Sequence, residues 1–292
     1  MQNKIGGIVA LEPSSGEILS LVTAPSYNPN LLVGRQRSIN YTKLYQDSIH
    51  RPLIDKGLIR MHEPGSPFKV LVALTALQEK VIDAKTNIIC SEKYIYGKNK
   101  RIMLCHCGGG FRNLNLGITY SCNSYFAMAF RSTIEKYDNA SQSMDRWSHH
   151  IKSFGLGSFL GNDLAVGKKG NIPDGNYYDT WYPDFKWGAT TIISNSIGQG
   201  EILVTPIQLA NMTAAIANKG FYYTPHIIKS IENEAMDPNF TTPKQTTISP
   251  EYFEAVIEGM HNVYKKGTAS FLKVPGIEIC GKTGTAENFA II

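Results

Sequence analysis

A serine and a lysine three residues apart open a very apolar segment of this 292-residue chain. Ser66 and Lys69 stand in the stretch GSPFK, and residues 70–77 carry a single polar side chain. On a helix, residues three apart share one face, so the two side chains can touch. A serine hydroxyl becomes a useful nucleophile when a neighbouring base removes its proton. The pattern predicts covalent catalysis by Ser66 with Lys69 as its base.

Lysine is a poor base unless its surroundings favour the neutral amine. At a reference pKa of about 10.4, only about one lysine in 2,500 is neutral at pH 7. Burial and a second nearby cation both lower the pKa of an amine, and the apolar residues 70–77 predict the burial of Lys69. A serine at a helix N-terminus also lies among free N–H groups, which can stabilise an oxyanion.

Two further polar motifs follow in a fixed order. Ser121 and Asn123 stand at a predicted helix break, 55 residues after the first serine, and Lys282-Thr283-Gly284-Thr285 begins 161 residues after Ser121. Such short motifs also arise by chance, as Ser270–Lys273 and Ser38–Asn40 show. These two copies fall outside the order, so we predict that the ordered set forms one site.

The elements that position these residues follow from hydrophobic periodicity and helix punctuation. The breadth of the apolar face after Ser66 predicts a helix through the middle of the fold. Strands at both ends around a helical middle predict one intertwined domain over residues 1–292. The predicted elements are a hairpin of 5–10 with 18–23, the helix opened by Ser66, helices on both sides of the break in 114–137, helices within 205–220 and 249–267, long loops over 155–190, and a closing strand within 276–287.

Charge and hydropathy exclude two classes of protein. The net charge of +5 is spread along the chain, and no basic run exceeds two residues, so nucleic-acid binding is not predicted. No apolar run approaches the ~18 residues that a membrane helix needs. We expect a soluble chain, or one whose membrane anchor lies outside it.

Five cysteines raise the question of a metal site. An odd number does not indicate a disulfide framework, and Cys105 and Cys107 lack the Cys-x-x-Cys spacing of structural zinc sites. Cys90 and Cys122 each lie fifteen residues from this pair, and Cys280 is distant in sequence. We predict buried free thiols and no metal, with a metal site as the alternative.

The three ordered motifs resemble the active-site signature of the penicillin-binding proteins and serine β-lactamases. The resemblance extends over most of the chain, and within the family it is greatest to the class B enzymes. SCNSYFA (121–127) and FGLG (154–157) favour penicillin-binding protein 2 of the cell-elongation machinery. The resemblance implies an α+β fold of the penicillin-binding transpeptidase and serine β-lactamase type, with an antiparallel sheet packed by helices plus an all-helical subdomain.

The same resemblance implies the catalytic roles. Ser66 would attack the D-Ala-D-Ala carbonyl of a peptidoglycan stem peptide and form an acyl-enzyme, with Lys69 as general base. Ser121 would relay a proton toward the leaving group. Asn123 would hold the substrate amide and Lys69. The implied reaction needs no cofactor.

The resemblance assigns substrate binding to the last motif. Lys282 and Thr283 would bind the substrate carboxylate, and the backbone N–H groups of Ser66 and Thr285 would form the oxyanion hole. Gly284 has a separate physical reason, because a substrate peptide that adds along this strand needs a bare backbone beside it.

Three alternatives remain open. Gly276–Thr283 fits the pattern of a phosphate-binding loop, which would require a preceding strand and a following helix. A β-lactamase would need a residue that activates water, and Glu135 with Asn139 matches one such pattern. A penicillin-sensing receptor domain would be acylated without turning over.

The family also suggests what surrounds such a domain. Relatives of this subgroup have a membrane helix, a pedestal domain, and further strands and a helix after the Lys-Thr-Gly strand. We expect these parts to be missing from this chain. Stem peptides and β-lactams are the expected ligands, and a membrane-embedded glycosyltransferase with other elongation proteins are the expected partners. The expected location is the periplasmic side of the bacterial inner membrane.

Overall fold

A computed structural model describes residues 4–286, which divide into two compact units. One unit contains residues 4–62, 155–170 and 204–244, and the other contains 63–154, 171–203 and 245–286. The strands are β1 (Gly6–Leu11), β2 (Ile18–Ala24), β3 (Ile88–Cys90), β4 (Lys93–Tyr96), β5 (Arg101–Leu104), β6 (Gly110–Arg112), β7 (Phe221–Tyr222) and β8 (Lys244–Gln245). The helices are α1 (Arg37–Gln46), α2 (Lys69–Gln78), α3 (Leu114–Thr119), α4 (Asn123–Ile134), α5 (Ala140–Lys152), α6 (Gly175–Trp181), α7 (Pro206–Ala217), α8 (Pro238–Thr241) and α9 (Phe253–Lys265).

The first unit contains the predicted N-terminal hairpin. β1 and β2 pair antiparallel from Gly6 opposite Ala24, with one irregularity beside Leu11. Helix α7 begins as predicted, because Thr205 and Gln208 form a reciprocal capping box around its first turn. Hairpin and helix are therefore confirmed.

The second unit is organised around α2. Every residue of α2 from Val70 to Leu77 is buried, which confirms the prediction of a helix within the core. Phe68, directly before α2, contacts the buried Trp147 of α5, with ring centroids 5.9 Å apart. Phe130 of α4 meets the same indole edge to face at 5.5 Å. These aromatic contacts fix the start of α2, where Ser66 and Lys69 lie.

The predicted helix break is also present. Helix α3 ends at Thr119 and α4 begins at Asn123, so residues 120–122 form the connection. Asn113 caps α3 by accepting the N–H of Leu116. Helix α9 packs closely on α3, because a Cβ at Gly259 would lie 2.9 Å from the side chain of Ile118.

Two predictions about elements are wrong. Residues 155–190 contain helix α6, which begins where Asp174 accepts the N–H of Tyr177 and which buries Tyr178. Within 276–286, the described part of the predicted closing strand, no strand is formed. Its backbone contacts are a bridge between Val274 and Ile277 and a bond from the Gly281 N–H to Met260. A strand exists only where a neighbouring strand exchanges backbone hydrogen bonds with it, and among the strands of residues 4–286 none pairs with this segment.

The antiparallel pairing is more divided than the predicted single sheet. In the second unit, β3 pairs with β6 and β4 pairs with β5, each as a two-stranded ladder. Across residues 4–286, no helix is both long and apolar enough to cross a membrane.

Candidate active site

Ser66 opens a one-turn 3-10 helix, Ser66–Phe68, that continues directly into α2. The preceding residue must be glycine, because Gly65 has φ = 61° and a Cβ there would lie 2.5 Å from the Thr285 carbonyl oxygen. The Gly65 N–H donates to the Gly198 carbonyl at 2.8 Å, which fixes the turn. Ser66 itself is half-buried, so its hydroxyl stands at the surface end of a buried helix.

Lys69 is fully buried one turn further along. Its ammonium donates to the Ser121 carbonyl at 2.8 Å, to the Ser121 hydroxyl at 3.1 Å and to Asn123 Oδ1 at 2.5 Å. These bonds use all three protons of the ammonium group. The structure thus brings together Lys69, Ser121 and Asn123, and the lysine bonds to these residues rather than to Ser66.

Burial lowers the pKa of Lys69 to about 8. About one lysine in ten is then neutral at pH 7, compared with about one in 2,500 for a lysine in water. The predicted burial of Lys69 is therefore confirmed, and burial is the main cause of its lowered pKa.

Ser121 lies in the break between α3 and α4 in a left-handed conformation, with φ = 55°. This conformation costs a residue with a side chain on the order of 1–3 kcal/mol, and such strain is common at functional sites. The bond from the Cys122 N–H to the Gly117 carbonyl, at 2.9 Å, holds the break in place. The strained backbone turns both the carbonyl and the hydroxyl of Ser121 toward Lys69.

Asn123, the first residue of α4, is held from three sides. Its N–H donates to Cys105 Sγ at 3.1 Å and its Nδ2 donates to the Leu104 carbonyl at 2.7 Å. Its Oδ1 accepts a hydrogen bond from Lys69 Nζ. The amide is therefore oriented before any ligand arrives.

Lys282 and Thr283 form a second polar pair in the same unit. Lys282 Nζ donates to the Thr283 carbonyl at 3.1 Å, and the Thr283 hydroxyl lies 2.7 Å from that of Thr268. Burial, and then the positive charge of Lys69, lower the pKa of Lys282 to about 7. The effect of a second cation, predicted for Lys69, therefore appears on Lys282.

Gly284 and Thr285 lie against the turn that carries the nucleophile. A Cβ at Gly284 would be 2.9 Å from the ring of Pro67, and the Thr285 carbonyl packs on Gly65. The close contact with Pro67 therefore already requires a glycine at position 284, before any substrate is considered. No helix begins within 283–286, so the phosphate-loop alternative lacks the element that it requires.

The β-lactamase alternative depends on Glu135 and Asn139, and both have local structural roles. The Glu135 carboxylate accepts from Arg131 Nε at 2.8 Å on the exposed face of α4. Asn139 caps α5 by accepting the N–H of Ser141. This arrangement gives no support to Glu135 as a base that activates water.

Four cysteines meet beside Asn123, and they are the four that the sequence analysis considered as an alternative metal site. The sulfur atoms of Cys90, Cys105, Cys107 and Cys122 all lie within 4.8 Å of one another, and all four residues are buried and free of disulfides. Cys105 and Cys122 are 3.7 Å apart at sulfur, and Cys107 and Cys90 are 3.6 Å apart. Hydrogen bonding with Cys122 lowers the pKa of Cys105 to about 4.

The cluster fits a tetrahedral metal. Four sulfurs at about 2.3 Å from a zinc ion would be about 3.8 Å from each other, close to the two short separations. The Asn123 N–H bond to Cys105 is of the type that surrounds metal-bound thiolates. The four cysteines are buried and form no disulfide, as predicted. That they bind no metal stays a prediction, and the metal alternative has the ligand set that it needs.

The support of Asn123 by β5 was not predicted from the sequence. Leu104 and Cys105 had no predicted role, yet their carbonyl and sulfur hold the asparagine. The only signal was the unusual Cys105-His106-Cys107 stretch, whose spacing argued against a site.

With this geometry established, comparison with known proteins gives the family. The model of the family described as "Penicillin binding protein transpeptidase domain" matches residues 6–290. The chain therefore belongs to the penicillin-binding protein transpeptidase family.

Three similar proteins place the chain within that family. It is 32% identical to the peptidoglycan D,D-transpeptidase MrdA of Acinetobacter baumannii, over 97% of this chain and 41% of the relative. The structure of Pseudomonas aeruginosa PBP2 in complex with WCK 5153 matches with a TM-score of 0.85 and 30% identity, over 98% of this chain and 64% of that one. The complex of PBP2 and MreC from Helicobacter pylori matches with a TM-score of 0.83 and 28% identity, over 98% and 51%. The fold is the predicted one, and the chain spans about two fifths of the length of the A. baumannii protein.

Proposed function

We propose that this chain is the catalytic part of a peptidoglycan D,D-transpeptidase, acting as one domain over residues 1–292. The observation that carries the proposal is the buried Lys69, with a pKa of about 8, bonded to Ser121 and Asn123 one turn from Ser66. A serine at a helix start becomes an activated nucleophile when a buried, partly neutral lysine one turn away acts as its base.

The acylation step starts with the neutral form of Lys69. Its amine accepts the Ser66 hydroxyl proton while the oxygen attacks the carbonyl of the penultimate D-Ala. Backbone N–H groups of Ser66 and Thr285 stabilise the oxyanion as it forms. Ser121, already bonded to Lys69, passes the proton to the departing D-Ala amine. The C–N bond breaks and a serine ester remains.

The binding residues orient the substrate for this step. Asn123 holds the peptide amide, and Lys282 with Thr283 binds the terminal carboxylate by charge-assisted hydrogen bonds. An amine from a neighbouring stem peptide then attacks the ester, which forms the crosslink and returns the proton to Ser66. A β-lactam would acylate Ser66 in the same way and leave slowly.

Penicillin labelling followed by intact-mass measurement tests the nucleophile. We expect one equivalent on the wild-type chain, none on Ser66→Ala, and unchanged labelling on the matched variant Ser270→Ala. A labelled peptide containing Ser270 would overturn the assignment.

A second measurement separates the remaining classes. Rapid turnover of a chromogenic β-lactam would indicate a β-lactamase. Crosslinking of a lipid-linked peptidoglycan precursor distinguishes a transpeptidase from a penicillin-sensing domain, since a sensor is acylated without forming crosslinks.

The cellular setting is part of the same proposal. The proposed stem-peptide substrate favours an active site on the periplasmic side of the bacterial inner membrane. The H. pylori relative forms a complex with MreC. By analogy, we infer that the whole protein works with other proteins of the elongation machinery, including a membrane-embedded glycosyltransferase.

We also propose that Cys90, Cys105, Cys107 and Cys122 hold a zinc ion. A closed four-sulfur site supplies structural stability rather than an open position for chemistry. Here it would fix β5 and the start of α4, and with them the orientation of Asn123.

Metal content tests this proposal directly. We expect one zinc per chain by mass spectrometry and thiolate charge-transfer bands after exchange with cobalt. Cys107→Ser should lose both signals, whereas Cys280→Ser, at an exposed cysteine outside the cluster, should keep them. Zinc retained by Cys107→Ser at wild-type affinity would contradict a four-cysteine site.

A further inference from the structure

The second unit contains a groove whose lining residues are separate from those of the candidate active site. It has a volume of about 870 Å³ and runs between the turn of the β4–β5 hairpin and the segment 182–191. Tyr96 and Arg101 form one side, and Tyr182, Phe185 and Lys186 form much of the other.

The groove carries positive charge. Lys98, Arg101 and Lys186 are exposed and line it from both sides, and no carboxylate side chain of residues 4–286 lines it. A site with three cations and no acidic residue favours an anionic ligand.

Aromatic side chains lie beside the cations. Phe185 is 59% exposed although its ring packs against Tyr182, with centroids 6.0 Å apart. The wall behind them is rigid, because the buried Trp187 donates its indole N–H to Asp179 at 2.8 Å. The exposed ring of Phe185 can pack on the apolar portion of a ligand.

Both sides of the groove lead to the active site. Strand β5 begins with Arg101 in the groove and ends at Leu104, whose carbonyl holds Asn123. Four strand residues span about 10 Å. On the other side, residues 188–191 lead into the 3-10 helix Ile193–Ile197 and then Gly198, which bonds to Gly65 before the nucleophile.

We propose that this groove binds the carboxylate-bearing stem peptide of a peptidoglycan strand, beyond the residues that react at Ser66. The proposal rests on the proposed transpeptidase function, and it names where the rest of the substrate lies. The cations pair with the carboxylates of the peptide, and the aromatic rings pack on its apolar or sugar portions. Continuity with the catalytic residues favours this ligand over a nucleic acid.

Binding of a fluorescent muropeptide whose stem ends in a single D-Ala tests the groove separately from the acylation of Ser66. Lacking a D-Ala-D-Ala bond, this probe leaves Ser66 unacylated. We expect the double variant Arg101→Glu/Lys186→Glu to bind it roughly 10-fold more weakly, because each exposed charge contact has a modest effect. Phe185→Ala should also weaken binding. The double variant Arg37→Glu/Lys43→Glu, an equal charge change at exposed residues of α1, should not.

Three results would overturn the proposal. They are equal affinity of the double variant and the wild type, equal affinity for a muropeptide whose carboxylates are amidated, and full displacement of the probe by an oligonucleotide at equal concentration. Penicillin labelling of Ser66 should be unchanged in the double variant. A wild-type chain that binds the muropeptide but resists penicillin would contradict the proposed function and leave the groove intact.

Discussion

At the scale of single residues, the two lysines of the site have opposite requirements. Lys69 acts as a base only when it is neutral, and its pKa is about 8. Lys282 binds a carboxylate only when it is charged, and its pKa is about 7. Since the base titrates above the binding cation, the productive form is a minority on the order of one-twentieth, greatest near pH ~7.5.

This order of pKa values predicts a bell-shaped acylation profile. The second-order rate constant for penicillin labelling should rise with pH as Lys69 loses its proton and fall as Lys282 loses its own. Lys282→Arg keeps a charged side chain at all these pH values, so its profile should retain the rising limb and lose the falling one. A falling limb that persists in Lys282→Arg would show that another group is responsible.

Truncation should separate the roles of the same two residues. Lys69→Ala removes the base, and general-base catalysis contributes about 10²- to 10⁴-fold, so labelling should essentially disappear. Lys282→Ala removes charge-assisted hydrogen bonds worth about 1.5–3 kcal/mol, a loss of roughly 10- to 150-fold. Circular dichroism should show both variants folded. Equal, modest losses in the two variants would contradict separate roles.

At the scale of elements, the turn before α2 depends on one glycine. Gly65 combines a positive φ with a contact that leaves no room for a Cβ beside Thr285. Gly34 has a positive φ as well, with open space around it. A comparison of substitutions at Gly65 and Gly34 therefore distinguishes the effect of backbone strain from the effect of close packing.

Alanine at these two positions should have different consequences. Each substitution places a side chain at a positive φ, which costs at least about 1–2 kcal/mol and should lower the melting temperature. Only Gly65→Ala should also lose penicillin labelling, because its Cβ displaces the backbone of Thr285 from the nucleophile turn. Normal labelling of Gly65→Ala would show that this contact is unimportant for the site.

At the scale of the whole molecule, acid stability should depend on a buried carboxylate at the end of α2. Glu79 accepts from Lys136 at 2.7 Å, from the Tyr137 hydroxyl at 3.0 Å and from Arg146 at 3.3 Å, and lies 3.1 Å from His150 Nε2. Burial alone would raise the pKa of Glu79, but the hydrogen bonds from Lys136, His150 and Tyr137 outweigh it and lower the pKa to about 2.

A lowered carboxylate pKa stabilises the folded state above the unfolded pKa of about 4.5, and this contribution is lost as pH falls toward 2. Burial also lowers the pKa of His150, so its contribution is lost as pH falls below 6.5. Glu79→Gln should cost roughly 2–3 kcal/mol of unfolding free energy at pH 7 and flatten the decline between pH 4.5 and 2. Denaturant titrations at several pH values measure both effects.

The matched control is Glu135→Gln, which removes an exposed ion pair with Arg131. Pairs of this kind contribute about 1 kcal/mol or less. Equal losses in the two variants would show that burial gives Glu79 no special importance.

Much of this molecule follows from local sequence. The apolar run of α2, the helix that begins near residue 205 and the break at Ser121 each depend on a few neighbouring residues, so pattern and punctuation predict them. The order of the three motifs predicts the family and the residues of the candidate site. Helix α6 was not predicted because residues 155–190 are rich in Gly, Asn, Asp, Trp and Tyr, a composition typical of loops. Asp174 was nevertheless an available N-cap.

The tertiary structure alone decided how distant residues meet. Cys90 and Cys122 are 32 residues apart, and only the packing of β3, β5 and α4 brings their sulfurs together with Cys105 and Cys107. The same holds for the ion pairs of Glu79 and for the effect of Lys69 on the pKa of Lys282. Helix starts and turns depend on short-range sterics and hydrogen bonds, which a sequence shows directly. Buried charges, thiol clusters and strand pairing depend on which surfaces face each other, and that is determined only when the whole chain packs.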